Sequence, residues 1–254
     1  MLLKSLTALA FVAPTHALIR FGCSQLVVDR LDPLVEPGNA PSAHLHQIIG
    51  GNSFVPDMSP DVHDPPAMST CTTCQPADDF SNYWTASLYF RARNGTYKRV
   101  SQKGNAGFEG QNGGMAYPVS GTFESQGPCP TSHPVRMPQL MYEVIYETAP
   151  FNDPSLWPED GSQPFVYSFS DHTGYGNHGD YIFGWKDDSL QKIMDEECYV
   201  GCSSMKTQSM EMMNSCSVPR KVIEDIGDED WIPALPGHLN ATRAVTSTFK
   251  AFRA

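Results

Sequence analysis

The chain has 254 residues, 40% of them hydrophobic and 11% aromatic, which is enough for a single domain with a core. Its 28 acidic and 17 basic residues leave a formal charge of −11, a surface that repels phosphate backbones and excludes nucleic acid as a natural partner. Glycine and proline, at 20 and 21 residues, favour turns and short strands over a helical bundle.

Met1–Ala17 carries one positive charge at Lys4, an apolar run over residues 6–13, and the small residues Thr15 and Ala17 before a cut after Ala17. That is the layout of a secretory signal peptide. Its apolar run is less than half of the roughly 20 residues that a spanning helix needs, and no later run reaches that length. The expected location is extracellular or in a cell wall, with no membrane span.

Seven cysteines follow: Cys23, Cys71, Cys74, Cys129, Cys198, Cys202 and Cys216. In an exported protein they imply disulfides, with one thiol left over. Cys71 and Cys74 have the spacing of a zinc or thiol-redox motif. No second pair matches them and no strand-then-helix context surrounds them, so the expectation is a structural bridge between them, the other cysteines being unassigned. Asn94-Gly95-Thr96 and Asn240-Ala241-Thr242 are acceptor sequons for N-glycans.

In chain order, residues 25–34 read as a strand, residues 83–90 as another running on to 97–100, residues 140–148 as the strongest, and residues 165–169 as a short one. Asp188 or Ser189 caps a helix carrying Leu190, Ile193, Met194 and Glu197. Residues 203–214, with four methionines, read as a second helix or a packed loop, and residues 219–254 as a tail that is partly disordered. The fold class is mainly β, or α+β with few helices: one sandwich-like domain over residues 18–218 with long disulfide-tied loops.

Candidate chemistry gathers on histidines. In an extended chain His44 and His46 face one side about 6.6 Å apart, so both imidazoles can converge on one metal. His178 and Asp180 repeat that spacing after a Gly-rich loop, and His133 follows Cys129-Pro130 as a further contributor. His178 and Asp180 are also the catalytic candidates, and a divalent metal is the implied cofactor. The competing reading is that these histidines hydrogen-bond loops and strand ends. Glu143 and Glu147 share a strand face but stand about 13 Å apart, beyond the spacing of glycosidase carboxyl pairs, so they read as a solvated face. Tyr83, Trp84, Tyr89, Tyr175, Tyr181 and Trp185 offer sugar-stacking surfaces or, more simply, core packing. Gly-x-Ser-x-Gly elbows, phosphate-binding loops and dinucleotide fingerprints do not occur.

Several segments together resemble a known family. They are Leu31-Asp32-Pro33-Leu34-Val35, His44-Leu45-His46, Gly50-Gly51-Asn52-Ser53-Phe54, Cys71-Thr72-Thr73-Cys74, Ser81-Asn82-Tyr83-Trp84-Thr85, Cys129-Pro130-Thr131-Ser132-His133-Pro134 and Gly174-Tyr175-Gly176-Asn177-His178-Gly179-Asp180. In order they resemble a mainly fungal, secreted domain of unknown function numbered 1996. The resemblance implies an extracellular setting and, through modules that accompany the domain, a link to polysaccharide. It also implies a longer middle region than the Gly/Asn-rich bridge at residues 103–115, so the chain reads as a shortened form. Two functions remain open: binding or modifying cell-wall polysaccharide through the His/Asp site, or a non-catalytic structural or interaction role, including that of an inactive paralog. A copper histidine brace requires an N-terminal histidine, whereas the expected cut leaves Leu18.

Overall fold

The computed structural model describes residues 18–120, 131–132, 139–196 and 202–238. Among these the chain is mostly β, with strands spread over four small antiparallel sheets and three short helices. The central sheet contains β2 (Val27–Asp29), β3 (His46–Gly50), β4 (Asn82–Ala86) and β12 (Gly179–Ile182) in the order β12-β4-β3-β2. A second sheet joins β1 (Leu18–Cys23), β8 (Met115–Ser120) and β9 (Gln139–Leu140). The third has β5 (Leu88–Arg91) between β11 (Phe165–Tyr167) and β6 (Tyr97–Arg99). A two-stranded piece pairs β7 (Gln102–Lys103) with β10 (Ile145–Tyr146).

Both faces of the central sheet are covered. In β4, Asn82-Tyr83-Trp84-Thr85-Ala86, successive side chains point to opposite sides. Tyr83 and Ile49 pack with Phe21, Trp185 and Ile193 on one face. On the other, Trp84 and Ile48 pack with Leu31, Phe54 and Met58. Trp84, Tyr83, Ile48 and Ile49 are fully buried.

The expected long strands are shorter than the pattern predicts. Residues 83–90 break at Ser87, whose backbone binds Leu45 and Ser168, and the chain passes from the central sheet into the third. Residues 140–148 are not one strand: Leu140 and the pair Ile145–Tyr146 join different sheets. Between them, Tyr142 lies over Gly179 and donates to the Asp180 carbonyl at 2.7 Å, while Glu143 pairs with Arg20 at 2.9 Å. The alternation was real, but three different surfaces satisfy it. Of residues 25–34 only β2 is strand. Asp32 closes a turn after it, its carboxylate accepting from the backbone N–H groups of Leu34 and Val35.

The expected helix is α2 (Ser189–Asp195), which follows Asp188 and buries Leu190 and Ile193. The methionine-rich segment forms α3 (Met210–Ser215), capped by the Ser209 hydroxyl, and α1 (Pro65–Met68) is a single turn opened by proline. Beyond residue 218 the chain keeps packing: Ile226, Ile232 and Leu235 are buried with Val28 and Tyr89, and Tyr97 pairs with Ile232. The core therefore runs past the expected boundary. Residues 239–254, including Asn240, lie outside the described residues.

Cys71 and Cys74 are both in disulfides, but not with each other. Cys23–Cys74 and Cys71–Cys216 are the bonds. Cys74 sits across an antiparallel bridge from Cys23, whereas Cys71 meets the end of α3. Two neighbouring cysteines thus staple separate parts of the chain. Cys202 is also disulfide-bonded, while Cys129 and Cys198 lie outside the described residues.

Candidate functional site: a histidine–aspartate cluster

Strand register builds the cluster. His46 pairs with Ala86, and Gly179 with Thr85, so the next step of the β4–β12 register brings His178 beside Ala86. Residues opposite one another share a face, so only the Ala86 methyl group stands between the two imidazoles. His44, two residues before His46, falls on the same side. The ring centroids of His44 and His46 are 4.2 Å apart, and those of His44 and His178 are 6.5 Å apart. Phe169 packs against both His44 and His178.

Two carboxylates face this group. Asp180 Oδ2 lies 3.7 Å from His178 Nε2, and Asp32 Oδ2 lies 3.9 Å from His46 Nε2. These separations are too long for direct hydrogen bonds. Two donors sharing an ion at about 2.0–2.2 Å stand about 3.3–3.9 Å apart at angles from tetrahedral to about 130°. His178 Nδ1 lies 2.7 Å from the Gly176 carbonyl. A carbonyl only accepts, so Nδ1 carries a proton and Nε2 is the nitrogen directed at Asp180, the orientation that ligating histidines take.

The loop that holds His178 is tightly tied. The Asp171 carboxylate accepts from the Thr173 backbone and hydroxyl and from the Gly176 N–H. Asp171 is thus a loop organiser.

Burial sets the electrostatics. His46 is fully buried, and burial, helped by His44 and His178, holds its pKa well below that of a free imidazole. Burial also lowers His44, against the pull of Asp32. Asp180 is raised by burial and then by Asp32, with His178 opposing. Neutral imidazoles with free lone pairs are the form that metals bind. The Leu31 backbone lies near His46, yet neither ring nitrogen makes a hydrogen bond of ordinary geometry, and His44 Nε2 and Asp180 Oδ2 are likewise buried without one. Among the described residues, no group of three or more His, Cys, Asp or Glu side chains stands in an arrangement that could hold a metal ion as it is.

Four of the sequence candidates, His44, His46, His178 and Asp180, therefore meet. His133 lies outside the described residues. Asp32 was missed. It stands in a Leu-Asp-Pro-Leu turn, where aspartate ordinarily closes the turn, and only the fold brings its second oxygen to His46. Glu143 and Glu147 belong elsewhere, with Arg20 and Lys103. Of the aromatics, Tyr83, Trp84, Tyr89 and Trp185 are core residues, whereas Tyr175 is 96% exposed on the tied loop.

Comparison with protein families gives matches over residues 32–115 and 105–185 to the one described as Domain of unknown function (DUF1996). The chain belongs to this family. The DUF1996 match takes in three strands of the central sheet, β3, β4 and β12, with both cysteines of the Cys71–Cys74 segment and all four clustered candidates. No curated protein and no solved structure matches the chain. Among the described residues of this DUF1996 protein, no helix is long and apolar enough to cross a membrane.

Proposed function

We propose that this is an exported DUF1996 protein whose cluster of His44, His46, His178 and Asp180, backed by Asp32, binds one divalent ion of the zinc or copper type. The observation that carries the reading is the set of unpaired polar atoms at one point: His44 Nε2, both His46 ring nitrogens and Asp180 Oδ2, all buried. Burying such atoms unpaired costs about 1–3 kcal/mol each, and a shared cation would satisfy them together. Imidazole and carboxylate donors suit zinc and copper. Rings sharing an ion stand about 5 Å apart by those bond lengths, so His44 and His46, at 4.2 Å, must part slightly and His178, at 6.5 Å, must swing toward His44. Such an ion would polarise a bound water or an oxygen of a ligand.

Export fits the signal-like Met1–Ala17 and the two long-range disulfides. The wall-polysaccharide setting and fungal source rest on the family resemblance. A genuine shortened form is supported by the bridge at residues 103–115, which packs as ordered structure. Phe108, Asn105 and Gln111 are buried, and Asn214 binds both Gly110 and Asn112. The second reading, a non-catalytic structural or interaction protein, is favoured by the full burial of His46.

Native mass spectrometry of the secreted protein loaded with zinc or copper separates the two. One retained ion per chain, lost in a His44→Ala/His178→Ala double variant that melts like wild type, supports the metal centre. A wild-type chain that retains no ion after gel filtration sinks it.

A further inference from the structure

On the side of β12 away from the core that holds Trp84 lies a second feature, a cleft of about 510 Å³. Its lining includes Thr85, Tyr142, Tyr146, Tyr167, Asn177 and His178. The cleft exists because residue 179 is glycine. A Cβ there would lie 1.6 Å from the Tyr142 ring, so only glycine lets that ring lie on the strand with its hydroxyl on the Asp180 carbonyl. The Tyr146 phenol is within hydrogen-bonding reach of Tyr167 and Thr85. Tyr167 in turn stacks on Phe169, which touches both His44 and His178.

The composition of this lining is informative. Among the described residues no Asp, Glu, Lys or Arg lines the cleft, and His178 is the sole ionisable group there apart from phenols. Burial pushes the phenols of Tyr142, Tyr146 and Tyr167 up, so they stay neutral donors and acceptors. Aromatic faces with hydroxyl and amide edges, and no charge, complement an uncharged polyhydroxylated ligand. Among these residues an anion would meet no fixed counter-charge, and a cation would find only the imidazole's lone pair.

We infer that this cleft binds a short neutral oligosaccharide and delivers it to His178, the one residue common to the cleft and the cluster. The inference deepens the metal-centre reading by naming what that centre meets, and rests on it for the role of His178. Sugar binding itself is tested separately.

The test uses the full secreted chain, with laminarihexaose, cellohexaose and chitin hexamer as neutral probes and an oligogalacturonate as the charged control, followed by calorimetry. One neutral probe should bind, and Tyr167→Ala or Asn177→Ala should weaken it about tenfold, the loss of roughly one stacking or hydrogen-bonding contact. Asn177 is exposed, so its variant keeps the test valid if Tyr167→Ala fails to fold. Binding in wild type but not in these variants, with no ion retained, would uphold the cleft and refute the metal centre. Ion retention with no neutral probe bound, or tighter binding of the oligogalacturonate, would overturn the cleft.

Discussion

Replacing His46 with leucine tests the cluster most directly. In the metal-free protein the wild-type imidazole is fully buried on the face of the central sheet, its ring nitrogens lacking ordinary hydrogen bonds. Leucine is close to it in volume and brings no polar atom, so little cavity or overpacking results. Removing one to two unsatisfied buried groups is worth about 1–3 kcal/mol, so the metal-free variant should be more stable than wild type. For a chain of this size each kcal/mol moves the melting temperature by about 2–4 °C. Differential scanning calorimetry of chelator-treated protein at pH 7.5 should therefore show the variant melting several degrees higher. Added zinc should reverse the order, raising wild type and leaving the variant unchanged, because only the intact site gains from ligand binding. A metal-free variant that melts below wild type would refute the reasoning, since the imidazole would then be holding the sheet together.

The remaining predictions concern the frame. Cutting the Cys71–Cys216 bond with a double serine variant opens a loop of 145 residues, which chain entropy values at about 5 kcal/mol. Urea denaturation should show a loss of that order, and a peptide map joining Cys71 to Cys74 would refute the connectivity. Asp79, buried and bonded to Tyr83 and Ser81, has its pKa pushed up from 3.8 to about 6 by burial. A raised carboxyl stabilises the fold below its unfolded pKa and loses that contribution as pH rises through 6, here about 3 kcal/mol. Asp79→Asn should therefore gain about that much relative to wild type between pH 4 and pH 7 in urea titrations, and parallel profiles would contradict this. Asn94 stands exposed in the turn between β5 and β6, its side chain bonded to Thr96. Intact mass of the secreted protein should fall by one glycan in Asn94→Gln.

How much of this was readable beforehand follows the reach of each interaction. His44-x-His46 and His178-x-Asp180 announced themselves because a strand's period of two is local. Their meeting did not, because it depends on the β3–β4–β12 register across a separation of more than 130 residues. Helix α2 was visible from its cap position and from Leu190 and Ile193, whereas residues 140–148 misled because alternation identifies faces and not partners. The cysteines failed for the same reason: nearness in sequence suggested Cys71 with Cys74, and the fold sends each to a different neighbour.

Ala86 gives the sheet a further property. One period of the pleat along β4 from Trp84, the buried Ala86 puts only a methyl group between His46 and His178. On this strand a single methyl group therefore marks where the apolar core gives way to the histidine cluster. A bulkier residue at position 86 would push the two imidazoles apart and part the cluster while asking nothing of the backbone pairing. Among chains sharing this fold, the side chain at that position would tell which can hold a ligand there and which keep only the architecture.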